Sequence, residues 1–239
     1  LTMFITTSGI VLRVYPFRDK KSIAKIFTKQ DGLISCIITK NKSQIPLSQI
    51  LTIAEITYKT SKTKNLFYIK DVQIEYVYTS LTVNREKIQI AMVLCEILNK
   101  CIYESNIQIY NFILSAFKTL DQNPSYSVGF DTLFLIKFCS ILGVSPFDNY
   151  LPDVANLVLD VEEGQFVENV TVPNNKLFIP KRESLSLYKL SKLNFDELES
   201  SYITYDLNLR LFHYMILYMS THLTDLTQLK SLRVMKDLV

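Results

Sequence analysis

Apolar and polar positions alternate with a period of two through residues 1–80 and then repeat near every 3.6 residues. Residues 3–15 (MFITTSGIVLRVY) are β-branched and aromatic, with Gly9 where a bulge or bend would suit. Tyr15 to Asp19 reads as a turn around Pro16. Residues 20–29 and 33–40 predict two strands joined at Gln30-Asp31-Gly32, whose Asp-Gly pair is a strong hairpin signal. A fourth strand is predicted over 49–59 (QILTIAEITYK), and a basic turn, Ser61–Asn65, leads to a fifth over 66–78. There Val72, Ile74, Tyr76 and Tyr78 alternate with Asp71, Gln73, Glu75 and Val77. Five short strands without a helical period between them predict a small β-barrel, and OB-type and SH3-like barrels both fit.

The period changes near Leu81. After Asn84, a candidate N-cap, Ile88, Met92, Cys95, Leu98 and Ile102 share a helical face. A second helix after Asn106 aligns Ile109, Phe112, Ile113, Ala116 and Leu120. A third, from about Ser127, aligns Phe130, Phe134, Phe138 and Ile141 before Gly143 and Pro146 stop it. Residues 147–180 are irregular, with Asn156–Val161 and Gln165–Val170 able to pair across Glu162-Glu163-Gly164. Helices resume over 184–192, 206–220 and 228–238, with Leu209, Phe212, Ile216 and Met219 on one stripe. The expected fold class is α+β and multidomain. Residues 1–81 are expected to form a β-barrel domain of OB or SH3-like type, and residues 82–239 a helical domain with a small β-hairpin insertion at about 147–180.

Charge sharpens this division. Residues 1–81 hold 12 Lys/Arg and 5 Asp/Glu, while residues 82–239 hold 14 and 18, so a basic first part stands on an acidic body despite a net charge of only +3. From Arg13 to Lys42 eight basic side chains face two acidic ones. A hairpin of that charge calls for an anionic partner, and a phosphate backbone is the simplest. Arg13, Arg18, Lys20, Lys21, Lys25, Lys29, Lys40 and Lys42 are the candidate phosphate contacts. Tyr15, Phe17, Phe27, Tyr58, Phe67 and Tyr68 could stack on bases or fill the barrel. In strand two Ile23, Lys25, Phe27 and Lys29 share one parity and Ser22, Ala24, Ile26 and Thr28 the other, so either face of the hairpin could bind.

Catalytic constellations are missing from the sequence: there is no P-loop, dinucleotide-binding glycine pattern or HExxH. His213 and His222 lie nine positions apart, on opposite sides of a continuous helix, which does not suit a shared metal. Glu162-Glu163 reads as a solvated turn, because a catalytic dyad needs one carboxylate in an apolar pocket. Cys36, Cys95, Cys101 and Cys139 sit in apolar patterns and never as CxxC, as buried thiols of a reducing compartment do. No segment has the roughly 18 uninterrupted apolar residues of a membrane helix, and the first ten residues lack a signal-peptide layout. A cytoplasmic protein that is not an enzyme and has no metal or cofactor is expected.

The run SGIVLRVYPFRDKKSIAKIFTKQDGLISCIITKNKS resembles the opening of the bacterial RecO family of DNA repair proteins. The family's phrase Ser-apolar-x-x-x-Phe-Thr-x-x-x-Gly is carried here by Ser22-Ile23, Phe27-Thr28 and Gly32, followed by Lys40-Asn41-Lys42-Ser43. Pro46-Leu47, Leu133 to Lys137, Leu142 to Pro146, Leu159 to Val167, Phe212 to Tyr214 and Leu229 to Leu232 extend the resemblance over nearly the whole chain. It implies an OB-fold joined to a helical domain, acting as a non-enzymatic recombination mediator in recombinational repair of DNA damage. Such a mediator binds single- and double-stranded DNA, anneals complementary strands, and works with RecR to load recombinase onto DNA coated with single-stranded DNA-binding protein. Lys40 and Lys42 match the family's basic DNA-binding positions. Asn41 stands where the family has glycine, and asparagine tolerates a left-handed backbone. Many members carry a four-cysteine zinc site after the Leu-Gly-x-x-Pro segment; residues 147–180 hold no cysteine, so the variant without zinc is implied. A pocket for the acidic C-terminal tail of the single-stranded DNA-binding protein is implied on the helical domain, with Lys137, Arg210, Lys230 and Arg233 as candidates for its basic rim. The competing expectation is a protein-interaction adaptor whose basic barrel binds acidic peptides instead of DNA.

Overall fold

The computed structural model describes residues 3–18, 20–39, 41–60, 66–124, 128–152, 154, 156–168, 176–200 and 202–231. Five strands, β1 (Phe4–Pro16), β2 (Lys21–Thr28), β3 (Gly32–Thr39), β4 (Ile53–Lys59) and β5 (Leu66–Tyr76), close into a barrel in the order β1-β2-β3-β5-β4. β3 and β5 pair in parallel at Ser35/Leu66, Cys36/Phe67 and Ile37/Tyr68, while the other ladders are antiparallel. Closure through this out-of-sequence parallel pair selects the OB-fold over a simple meander.

Strand parity sets the interior. Val11, Ala24, Ile26, Ile34, Cys36, Ile38, Ala54, Ile56, Tyr58 and Ile69 form its core, and Leu47, from a 3-10 turn over Ile45–Ser48, joins them. In β2 the even positions therefore face inward and Lys21, Ile23, Lys25 and Phe27 face outward. Gly9 pairs regularly with Thr28 and Ala54, and the irregularity in β1 falls at Val11/Arg13. Glycine at 9 serves close approach instead: a Cβ there would lie 2.6 Å from Ile26 Cγ2. β1 also runs through Pro16, so Tyr15 and Pro16 of the expected turn belong to the strand, and Asp19 lies outside the described residues.

Two helices complete this compact unit, which comprises residues 1–122 and 229–239. In α1 (Arg85–Cys101) the Asn84 side chain caps Lys87 N, and ahead of α2 (Ile107–Gln122) Asn106 Oδ1 accepts from Gln108 N and Ile109 N. The stripe expected on α1 is displaced. Ile88 is half-buried and Met92 is 49% exposed, while Ile90, Ala91, Val93, Leu94, Ile97 and Leu98 are buried. The helix is covered on two sides, by β1 and by α2, so a single 3.6-period stripe misreads it. Strand gives way to helix between Tyr76 and Arg85, and the compact unit continues to Gln122.

Asp121, near the end of α2, fastens the strand-to-helix junction. Its carboxylate accepts from Ser80 N and Leu81 N at 2.8 Å, Thr79 N at 3.0 Å and the Tyr76 hydroxyl at 2.9 Å. Burial opposes ionisation, but these donors outweigh it and bring the carboxyl down to about 2. Lys87, fully buried, donates to Ser80 Oγ at 2.6 Å beside it.

Residues 123–228 form the second unit. It contains α3 (Phe130–Ile141), a sheet of β6 (Leu157–Asp160), β7 (Gln165–Glu168) and β8 (Phe178–Ile179), then α4 (Lys181–Ser191) and α5 (Tyr205–His222). Phe130, Phe134 and Phe138 are fully buried, Phe212, Ile216 and Met219 are buried, and Leu209 and Ile141 are half-buried. Asn208 ties α5 to α3 by donating to Asp131 Oδ1 at 2.9 Å and accepting from Thr132 Oγ1 at 2.6 Å. β6 and β7 pair across Glu162-Glu163-Gly164 as expected, and β8, a two-residue strand without a pattern of its own, adds to the other edge of β6. Residues 125–127, 169–170 and 232–239, which include parts of the expected third helix, hairpin and last helix, lie outside the described residues. No helix among the described residues is long and apolar enough to cross a membrane.

Candidate nucleic-acid interface

The hairpin of β2 and β3 has two unlike ends. Its Asp31-Gly32 turn is packed away: Leu33 N donates to Tyr103 O at 3.0 Å, and a Cβ on Gly32 would lie 2.6 Å from backbone atoms of Tyr103, Glu104 and Ser105. Tyr58 donates its hydroxyl to the Asp31 carboxylate, and burial together with that carboxylate raises the tyrosine's pKa. Lys29 is exposed at this closed end.

At the open end, Pro16 pairs with Ser22 and Lys21 with Thr39, which brings the β1–β2 turn beside the segment that follows β3. Arg18, Lys20, Lys21 and Lys42 are all exposed there. Arg18 (φ 52°) and Lys20 (φ 59°) adopt the left-handed conformation, and the Arg18 guanidinium lies 5.3 Å from the Phe17 ring centroid. Lys40 lies outside the described residues. Asn41, which stands where the family has glycine, is not among the described residues with positive φ; its Oδ1 accepts from Gln44 N at 3.1 Å, closing the turn through its side chain.

Gln44, not foreseen from the sequence, holds this segment. It is buried, accepts from Thr39 N at 2.9 Å and Thr39 Oγ1 at 3.0 Å, and donates through Nε2 to Ile69 O at 3.0 Å. The turn carrying Lys42 is thereby tied to both β3 and β5.

Arg13 and Lys25 stand apart from this cluster. They pair with each other across β1 and β2, and Lys25 is half-buried. Arg13 also acts on Glu96 of α1. Burial alone would raise the Glu96 pKa, but hydrogen bonds from Ser231 and from Lys230 N, with the Arg13 charge, hold it below the ordinary carboxylate range. Of the eight basic candidates, four therefore converge at the open end.

The aromatic candidates divide as well. Phe27 is buried under Tyr110 of α2 (ring centroids 6.1 Å apart) and Tyr58 lies in the barrel core, so neither can stack on a base. Phe17 and Phe67 are half-buried. Tyr15 and Tyr68 remain exposed, Tyr68 at 54%.

The basic rim expected on the helical domain falls in several places. Arg210 is engaged by Glu183 at 3.1 Å and by Asp206, both carboxylates of its own unit. Lys137 is half-buried on α3; burial lowers its pKa against the opposing charge of Glu197. Lys230 is exposed in the other unit, and Arg233 lies outside the described residues. Three of the four cysteines are buried and Cys101 is half-buried; burial pushes the Cys36 and Cys101 thiols up to about 12. His222 donates from Nε2 to Val161 O at 2.8 Å, and Glu163 pairs with Lys176 at 3.3 Å at the β6–β7 turn.

Comparison with known proteins agrees with this fold. Residues 3–78 match the family described as "Recombination protein O N terminal". The chain is 25% identical over 249 residues to the DNA repair protein RecO of Phocaeicola vulgatus, covering 99% of both chains. It is 23% identical to that of Porphyromonas gingivalis, again over 99% of both. With the RecO of Flavobacterium psychrophilum identity is 27%, over 98% of this chain and 99% of the relative. Residues 3–78 thus carry the N-terminal domain of the Recombination protein O family, and the chain as a whole is similar from end to end to DNA repair proteins RecO.

Proposed function

We propose that this chain is a DNA-binding recombination mediator in DNA repair, which binds and anneals single-stranded DNA without catalysing a chemical step. The observation that carries this reading is the convergence of Arg18, Lys20, Lys21 and Lys42 at the open end of the β2–β3 hairpin, whose opposite end is packed away. Four cations on one rim can neutralise several phosphates and release their counterions, which drives binding without base specificity. Lys40 belongs to the same contact set through the family pattern. Family resemblance adds double-stranded DNA as a ligand, RecR as a partner, and recombinase loading on DNA coated with single-stranded DNA-binding protein. On this reading the acidic tail of that protein docks on the helical region, and Lys137 of the second unit, or Lys230 with Arg233 of the first, are separate candidates to test; Arg210 is the weakest of the set, being paired already.

The test is strand annealing of complementary oligonucleotides coated with single-stranded DNA-binding protein, followed across ionic strength. The proposed mediator accelerates annealing at low salt and loses the effect as salt rises. An adaptor for acidic peptides would bind the coating protein's tail, show negligible affinity for bare oligonucleotides and leave annealing unchanged.

A further inference from the structure

A second surface on the barrel joins the open end by way of β5. In register, Phe4 of β1 pairs with Lys59 of β4, and Lys59 pairs with Tyr68 of β5, so these three side chains stand in one row on the outer face. All are exposed, Phe4 at 49% and Tyr68 at 54%. Lys70, next but one after Tyr68, places its Nζ 4.5 Å from the Phe4 ring centroid. The row therefore alternates aromatic and cationic groups. It meets the basic end directly, because Ile69, between Tyr68 and Lys70, carries the carbonyl to which Gln44 fastens the Lys42 turn.

We infer that Tyr68 and Phe4 form a base-stacking platform for unpaired nucleotides, with Lys59 and Lys70 meeting the accompanying phosphates. The inference rests on the DNA-binding reading and deepens it, from a basic rim indifferent to strandedness to a site that selects single strands. Aromatic faces stack on any base and reward only bases free of a partner, whereas phosphate contacts alone favour single strand and duplex alike. Charge also sets the direction of the path. Further along the same outer face Glu55, Asp71 and Glu75 are exposed, so a strand leaving Lys42 is repelled from the length of β4 and β5 and kept to the row at the end. Phe4 and Tyr68 are two strand spacings apart, about 10 Å, so each takes its own base.

The experiment measures the affinity of the full chain for a fluorescent oligothymidylate and for a blunt duplex of equal length. Phe4→Ala with Tyr68→Ala should weaken oligothymidylate binding by about tenfold or more, while duplex affinity and the salt slope stay unchanged, since no charge is removed. Tyr68→Phe should retain single-strand affinity, and the wild-type chain should bind a strand of abasic residues about tenfold more weakly than oligothymidylate. Unchanged oligothymidylate affinity in the double variant, equal losses on single strand and duplex, or equal binding of the abasic strand would each overturn the platform while leaving the DNA-binding reading in place. A wild-type chain that binds neither oligonucleotide would overturn both.

Discussion

The Gln44 side chain donates to the Ile69 carbonyl at 3.0 Å and accepts from the Thr39 backbone at 2.9 Å, so one buried amide sets where Lys42 stands between β3 and β5. Replacing Gln44 by alanine strands the Thr39 N–H and the Ile69 carbonyl, at a cost of about 1–3 kcal/mol. The expected outcome is a lower urea midpoint together with weaker oligonucleotide binding at an unchanged salt slope, because Lys42 keeps its charge and loses its position. Equilibrium unfolding and a salt titration of the same variant check both parts.

Lys20 occupies a left-handed backbone that a long side chain adopts at a cost of about 1 kcal/mol, a strain placed at the basic turn. Lys20→Gly should therefore raise the thermal midpoint by a few degrees and still weaken DNA binding. A matched Lys20→Ala variant, which loses the charge and keeps the strain, should weaken binding equally without the gain in stability.

Asp121 predicts a pH dependence with a definite sign. Its carboxyl is depressed to about 2 in the folded chain, against an ordinary value of 3.8. The stabilisation is complete above the ordinary value and is lost as pH falls from there through about 2, roughly 2 kcal/mol in all. Asp121→Asn should lower stability at neutral pH by a similar amount and flatten the acid limb between pH 4 and 2. Urea unfolding of both chains across that window measures the difference.

Gly32 is left-handed (φ 68°) with backbone of Tyr103 to Ser105 where a Cβ would go. Gly32→Ala should cost at least about 2 kcal/mol by displacing the closed end of the hairpin. Hydrogen exchange should report the change at Leu33 N, which bonds to Tyr103 O, before it reaches β4.

Local chemistry made the barrel legible. The Asp31-Gly32 turn, the period-two strands, the helix cap at Asn84 and the helix start after Asn106 are decided within a few residues, and they are found where the sequence places them. What was not legible depends on partners distant in the chain. Strand two carries apolar residues at both parities because Phe27 points out of the barrel under Tyr110, 83 positions away, so alternation alone could not name its inner face. Gln44 is one polar residue in the polar stretch Asn41 to Gln44, and its role appears only once Thr39 and Ile69 flank it. Charge density likewise could not separate Arg13, which acts on Glu96, from Lys21, which faces solvent. Phe4 left a fainter signal: it shares parity with Thr6 and Ser8, the polar positions of β1, and that parity alone marks it as outward.

The most direct measurement is the slope of log affinity against log salt for oligothymidylate, comparing the wild-type chain with a Lys21→Gln/Lys42→Gln double variant. If the open end is the phosphate-binding rim, two lost contacts make the slope shallower by about 1.4 and weaken binding at every salt concentration. A slope and an affinity equal to those of the wild type would contradict the account.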